Sequence, residues 1–228
     1  MRRITFESGE YYHIYNRGVD KRTIFLDRRD FERFLYLLFA CNDTEPLLNS
    51  QFYYRGFASI EKYPRKRTQL VDILCFCLMP NHFHLILRQR VDSGISLFMQ
   101  KLGTGYTMYF NIKYKRSGVL FQGVFKAIHI DREEYLTHLT RYIHLNPAEL
   151  REPQWKKQNI RNRKTILEFV KKYPWSSYQY YLERKRFAPL LATGLIKELF
   201  LPPQEYEKFV SEWVPEHADL LSGYIIED

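Results

Sequence analysis

The 228-residue sequence predicts an α+β fold of the ferredoxin-like, split βαβ kind: a four-stranded antiparallel sheet, helices on one face, and a helical C-terminal extension. Three observations predict it. Runs with period-2 apolar character and runs with 3.6-residue apolar character follow one another in the order β-α-β-β-α-β. The two middle strand runs are separated only by Met79-Pro80-Asn81, which makes them a hairpin. Beyond Pro153 the pattern gives way to basic segments and to helical pieces cut by prolines, so the chain reads as a domain over 1–153 and an extension over 154–228.

The first strand is the β-forming run YYHIYNR at 11–17, closed by Gly18. Asp27 is placed to cap a helix in RRDFERFLYLLFACN, where Phe31, Phe34, Leu35, Leu38 and Phe39 recur at three- and four-residue spacing. Periodicity then fails from 44 to 69, a connection punctuated by Pro46, Gly56 and Pro64. LVDILCFCL at 70–78 and HFHLILR at 82–88 are the hairpin strands. A second amphipathic helix spans 96–113 on the stripe Leu97, Phe98, Leu102, Tyr106, Tyr109 and Phe110, although Gly103 and Gly105 weaken its middle. The fourth strand is expected over 118–130, with a bulge at Gly123. Asp131, with Glu134 three residues later, should cap a third helix, REEYLTHLTRYIHLN, which Pro147 ends.

Thirty-five Lys and Arg against 26 Asp and Glu leave a net charge of +9, the footprint of a polyanion partner. Cys41, Cys75 and Cys77 show neither zinc spacing nor a disulfide framework and read as buried, reduced thiols. No apolar stretch approaches membrane-spanning length, so the expectation is a cytoplasmic protein with no membrane partner. There is no P-loop.

His82 and His84 head a strand, and side chains two apart in a strand project from one face, so the two imidazoles form half of a divalent metal site if a third ligand arrives from elsewhere. On the third helix Tyr142 and Asn146 are i,i+4 and share a face, with His138 one turn earlier and His144 off that face. For each of these the competing reading is a core residue, since Tyr142 borders the apolar stripe of Leu136, Leu139 and Ile143.

The runs MPNHFHLIL at 79–87, SGVLFQGVFKA at 117–127, YLTHLTRYIHLNPAEL at 135–150 and YPWSSY at 173–178 together resemble the REP-associated tyrosine transposases, within the single-tyrosine HUH class. YHIYNRG at 12–18 and IFLDRRDFERFL at 24–35 resemble that family's N-terminal part. The resemblance implies that 1–153 is a transposase or nuclease domain. It implies that His82, His84 and Asn146 bind a divalent cation, Mg²⁺ or Mn²⁺, and that Tyr142 is the nucleophile. A phenol ionises near pH 10 in water and needs activation, which such a cation would assist at the scissile phosphate.

The implied partner is single-stranded or hairpin DNA resembling repeated extragenic palindromes, met in the cytoplasm at the nucleoid by a monomer or a homodimer. Lys113, Lys115, Arg116, Lys126, Arg161, Arg163, Lys164, Arg184, Lys185 and Arg186 are candidate phosphate contacts, and Tyr106, Tyr109, Tyr114 and Tyr180 candidate stacking platforms. The rival readings are a non-catalytic nucleic-acid module of the same fold and a rolling-circle or relaxase-type nickase.

Overall fold

A computed structural model describes residues 4–46, 60, 66–155, 162–183, 185–200 and 202–213. Strand β1 (Tyr11–Arg17) leads through a short 3-10 turn (Val19–Lys21) to helix α1 (Arg28–Ala40). Strands β2 (Val71–Met79) and β3 (His82–Gln89) form the expected hairpin, followed by α2 (Gly94–Lys113), β4 (Lys126–Ile130) and α3 (Glu133–Leu145). A 3-10 segment (Asn146–Leu150) continues α3, and α4 (Arg163–Lys172), α5 (Tyr178–Tyr181), α6 (Thr193–Leu199) and α7 (Pro203–Ser211) complete the chain. The sheet runs β2-β3-β1-β4 with every neighbour antiparallel, the split βαβ order.

Every residue of β2 is buried, as in a strand covered on both faces. On one face Phe83 of β3 packs against Phe34 of α1, which in turn meets Tyr106 of α2. Its sequence neighbour His84 points the other way and meets Tyr142 of α3, so the third helix covers the opposite face of the sheet.

The junction of α1 and α2 is a buried electrostatic pin. Asp27 caps α1 as expected, accepting from the Arg29 and Asp30 amides, and the Asp30 carboxylate returns to the Leu26 and Asp27 amides. Asp30 is fully buried, and its remaining lone pairs accept from Lys113 at 2.7 Å, Tyr114 at 2.8 Å and Tyr109 at 3.0 Å, all from the C-terminal end of α2. Burial works against the charge of Lys113, but Asp27 and Asp30 outweigh it and hold the ammonium well above its ordinary range.

Two expectations are corrected. The fourth strand is shorter than 118–130: Gly118 and Gly123 adopt left-handed φ of 84° and 70°, so the chain turns there, and only Phe121 makes an isolated bridge, to Gly18. Asp131 does not cap α3; the helix begins at Glu133 with Arg132 at the N-cap position and no side-chain cap. The expected connection at 44–69 lies largely outside the described residues.

The extension seals the outer edge of β2. Leu78 N donates to Trp175 O and Ser177 N to Phe76 O, each at 2.9 Å, and Ala192 N reaches Ile73 O at 2.9 Å. The hydroxyls of Tyr173 and Tyr181 donate to Leu78 O and Leu74 O. Among the described residues no helix is long and apolar enough to cross a membrane.

Candidate active site

His82 and His84 lie on the face of β3 that α3 covers, with ring centroids 5.0 Å apart and planes at 88°. Antiparallel pairing sets Arg17 opposite His82 and Tyr15 opposite His84, and Tyr15 is in turn opposite Lys126 of β4. His82 Nδ1 is 2.7 Å from Asn81 Oδ1, whose amide nitrogen donates to Lys21 O. An amide oxygen only accepts, so the His82 proton belongs on Nδ1, which makes Nε2 the nitrogen for a metal. His84 Nδ1 is likewise engaged, by a buried histidine, His13, at 2.9 Å.

Helix α3 brings Tyr142 to this pair. The Tyr142 ring lies 6.4 Å from that of His84, edge to face at 86°, and is flanked by Trp155 at 5.9 Å and Trp213 at 6.2 Å. It is only 1% exposed, yet Tyr142, His82 and His84 wall a single cavity of about 90 Å³. Three cations, Arg17, Lys21 and Lys126, and one carboxylate, Glu149, share that wall. The positive excess suits an anion entering between the histidines and the phenol.

Asn146 keeps helical geometry as the C-cap of α3 (φ −49°, ψ −37°), although Pro147 follows. It is fully buried; its Nδ2 donates to Tyr142 O at 3.1 Å, and its Oδ1 accepts no hydrogen bond among the described residues. Asn146 does not wall the 90 Å³ cavity. A buried amide oxygen without a donor is costly unless something positive meets it. Among the described residues no three His, Cys, Asp or Glu side chains group as a metal site would require. A cation on the histidine pair would need a further donor, and the buried Asn146 Oδ1, which meets no hydrogen-bond donor among the described residues, is chemically suited to be one.

His144 is fully buried on another side of α3. Its Nδ1 meets Tyr206 OH of α7 at 2.8 Å and its Nε2 meets Ser177 Oγ at 2.8 Å, with Cys75 Sγ at 3.3 Å. Tyr206 OH donates onward to Thr140 Oγ1, which donates to Thr137 O. Burial pushes the His144 imidazole down to about 3, so the ring is neutral and its role is to join α3 to β2, α5 and α7. His138 is spent on Arg141, which it meets at 2.7 Å.

Of the basic residues named from the sequence, Lys126 alone among the described ones reaches the cavity. Lys113 is held by Asp27 and Asp30. Arg116 binds Asn111 Oδ1 and Val119 O, shaping the turn after α2, and Arg163 binds the carbonyls of Ser211 and Trp213. Lys115 and Lys164 are exposed away from it, and Arg186 lies over Trp175 and Phe187. Arg161, Arg184 and the side chain of Lys185 fall outside the described residues. Tyr106 is fully buried and donates to Ile24 O, so it is no surface platform, while the half-buried Tyr109 and Tyr114 turn their hydroxyls to Asp30.

Arg17, Lys21, Glu149 and His13 went unread in the sequence. Only cross-strand register puts Arg17 and His13 beside the pair, and Lys21 arrives through two consecutive left-handed residues, Asp20 and Lys21, with φ of 55° and 56°.

No curated protein matches this chain in sequence. A solved structure described as a REP-associated tyrosine transposase bound to a REP hairpin is 14% identical to it and superposes with a TM-score of 0.57, over 100% of this chain and 99% of that one. At that identity the likeness shows the fold. The tRNA(His) guanylyltransferase of Saccharomyces cerevisiae, 12% identical over 98% of this chain and 81% of its own, reaches a TM-score of only 0.33, too low to bear on the fold. A family profile described as transposase, IS200 like, matches residues 36–146. That stretch holds β2, β3 and α3 together, so the likeness to IS200-like transposases spans the elements that carry the histidine pair and Tyr142.

Proposed function

We propose that this protein is a metal-dependent transposase that cuts and rejoins single-stranded DNA at hairpin-associated sites through a 5′-phosphotyrosine intermediate on Tyr142. The observation that carries the reading is the approach of Tyr142 to His84 across a cavity walled by Arg17, Lys21 and Lys126. The phenolate oxygen of Tyr142 attacks phosphorus as the bond from phosphorus to the 3′ oxygen breaks. The products are the phosphotyrosine and a 3′ hydroxyl. Rejoining reverses the exchange, so the bond energy is retained and no nucleotide triphosphate is consumed.

His82, His84 and Asn146 would hold Mg²⁺ or Mn²⁺; when bound, that ion polarises the scissile phosphate and neutralises charge on the leaving oxygen. The three donors are neutral and leave the ion's charge undiminished for the phosphate. Arg17, Lys21 and Lys126 orient the phosphodiester. Because Tyr142 is 1% exposed, the phosphate must enter the cavity rather than the tyrosine reach outward. The likeness to a hairpin-bound structure and the chain's +9 charge support hairpin DNA as partner.

The test is incubation of wild type and Tyr142→Phe with Mn²⁺ and labelled hairpin DNA carrying single-stranded flanks. A covalent adduct on a denaturing gel is expected in wild type alone, and a chelator should abolish it. DNA binding with no adduct across metals and hairpins would make the protein a non-catalytic binding module.

The cations offer a second check. Lys126→Ala should weaken single-stranded DNA binding roughly three- to tenfold and lower the salt slope by about 1, the loss of one phosphate contact. Lys113→Ala should leave affinity within twofold, since its ammonium is committed to Asp27 and Asp30. Filter binding at several salt concentrations measures both; equal losses in the two variants would remove the assignment.

A further inference from the structure

His13, on β1, is fully buried and has no place in the chemistry described so far. Register pairs it with Ile86, so it lies diagonal to His84 on the same face of the sheet. Its Nε2 stands 2.9 Å from His84 Nδ1, with ring centroids 5.1 Å apart and planes at 21°. Tyr15 packs on both rings, at 5.1 Å from His13 and 6.1 Å from His84. An imidazole buried this deeply is sustained by its hydrogen bonds.

Two neutral imidazoles that meet nitrogen to nitrogen share a single proton, and the two arrangements have opposite consequences. If His13 donates, His84 carries its own proton on Nε2, and that nitrogen has no lone pair to offer a cation. If His84 donates from Nδ1, its Nε2 lone pair faces outward as a ligand. Asn81 Oδ1 already imposes the second arrangement on His82, at 2.7 Å.

We propose that His13 is the positioning residue of the metal centre: it accepts the Nδ1 proton of His84 and so fixes the ring and tautomer that present Nε2 to the ion. The inference rests on the metal reading above and adds to it a partner for the second histidine. An imidazole acceptor, unlike the carboxylate common behind metal-bound histidines, brings no charge, which keeps the whole donor set neutral.

The test has two readouts besides activity. In protein labelled with ¹⁵N-histidine, long-range nitrogen–proton correlation of the Mg²⁺-loaded state should show the His84 proton on Nδ1. Mn²⁺ affinity, read by electron paramagnetic resonance of the free ion, should fall about 10- to 100-fold in His13→Leu, the usual effect of losing such a partner. It should recover in His13→Gln, whose side-chain oxygen can occupy the place of Nε2 as an acceptor. Thermal melting establishes that each variant is folded; if the leucine variant is not, the wild-type spectrum and the glutamine variant decide.

A His84 proton on Nε2 in the Mg²⁺-loaded protein overturns the proposal. So does wild-type Mn²⁺ affinity in folded His13→Leu while His84→Ala has lost it, a result that leaves the metal reading standing. Wild-type affinity in His84→Ala would overturn the metal reading and the proposal with it.

Discussion

Asp30→Ala is expected to cost about 3 kcal/mol of stability, measured as a lower urea midpoint with unchanged slope. The carboxylate is fully buried and gathers two backbone amides, two phenols and the Lys113 ammonium. Removing one side of a buried charge pair leaves the other uncompensated, typically at about 3–5 kcal/mol. The lower end applies because Lys113 is 22% exposed and retains Asp27 at 2.8 Å. Asp30→Asn should recover little, because an amide brings donors to a site that already holds five. A loss below about 1 kcal/mol would mean that α1 and α2 are held by their aromatic packing alone.

His144→Ala should cost a similar amount, about 3 kcal/mol, from the cavity and from the broken hydrogen bonds to Tyr206 and Ser177. It should also depress adduct formation, because the ring fastens the helix that carries Tyr142. A pH signature accompanies it. Burial holds the folded-state imidazole at about 3, below the 6.5 of an ordinary histidine, so the unfolded chain takes up the proton first as pH falls. This contribution is fully present above pH 6.5 and is lost through the window from 6.5 towards 3, at up to about 1.4 kcal/mol per pH unit. Urea midpoints of wild type and His144→Gln at pH 7 and pH 5.5 should therefore converge at the lower pH. Parallel losses in the two proteins would show that His144 does not set this slope.

What the sequence disclosed was whatever local periodicity and capping chemistry control. The strand pair at 71–79 and 82–89 follows from apolar content and a three-residue turn, and the shared face of His82 and His84 from the period of two. Asp27 declared α1 through a capping pattern that the structure realises, whereas the similar pattern at Asp131 failed because the helix starts one residue later than that cap needs. His13, Arg17 and Lys21 stayed hidden for a different reason. Their place beside the histidine pair comes from inter-strand register and from a left-handed turn, neither of which leaves a periodic mark. The mooring of His144 depends on α5 and α7, more than 30 residues later in the chain. The cationic list followed composition, which does not show that Lys113, Arg116 and Arg163 are occupied by carbonyls and carboxylates of the fold itself.

The segment from Tyr173 to Ala192 behaves towards β2 as a surrogate neighbouring strand, answering its outward amides and carbonyls one after another. A fragment trimmed at the apparent boundary near residue 153 would keep every residue named for catalysis. It would also bare a nine-residue apolar margin, VDILCFCLM, whose natural remedy is another copy of itself. The extension thus shields a strand edge as well as bracing it. Expression of residues 1–153 should be planned around its retention.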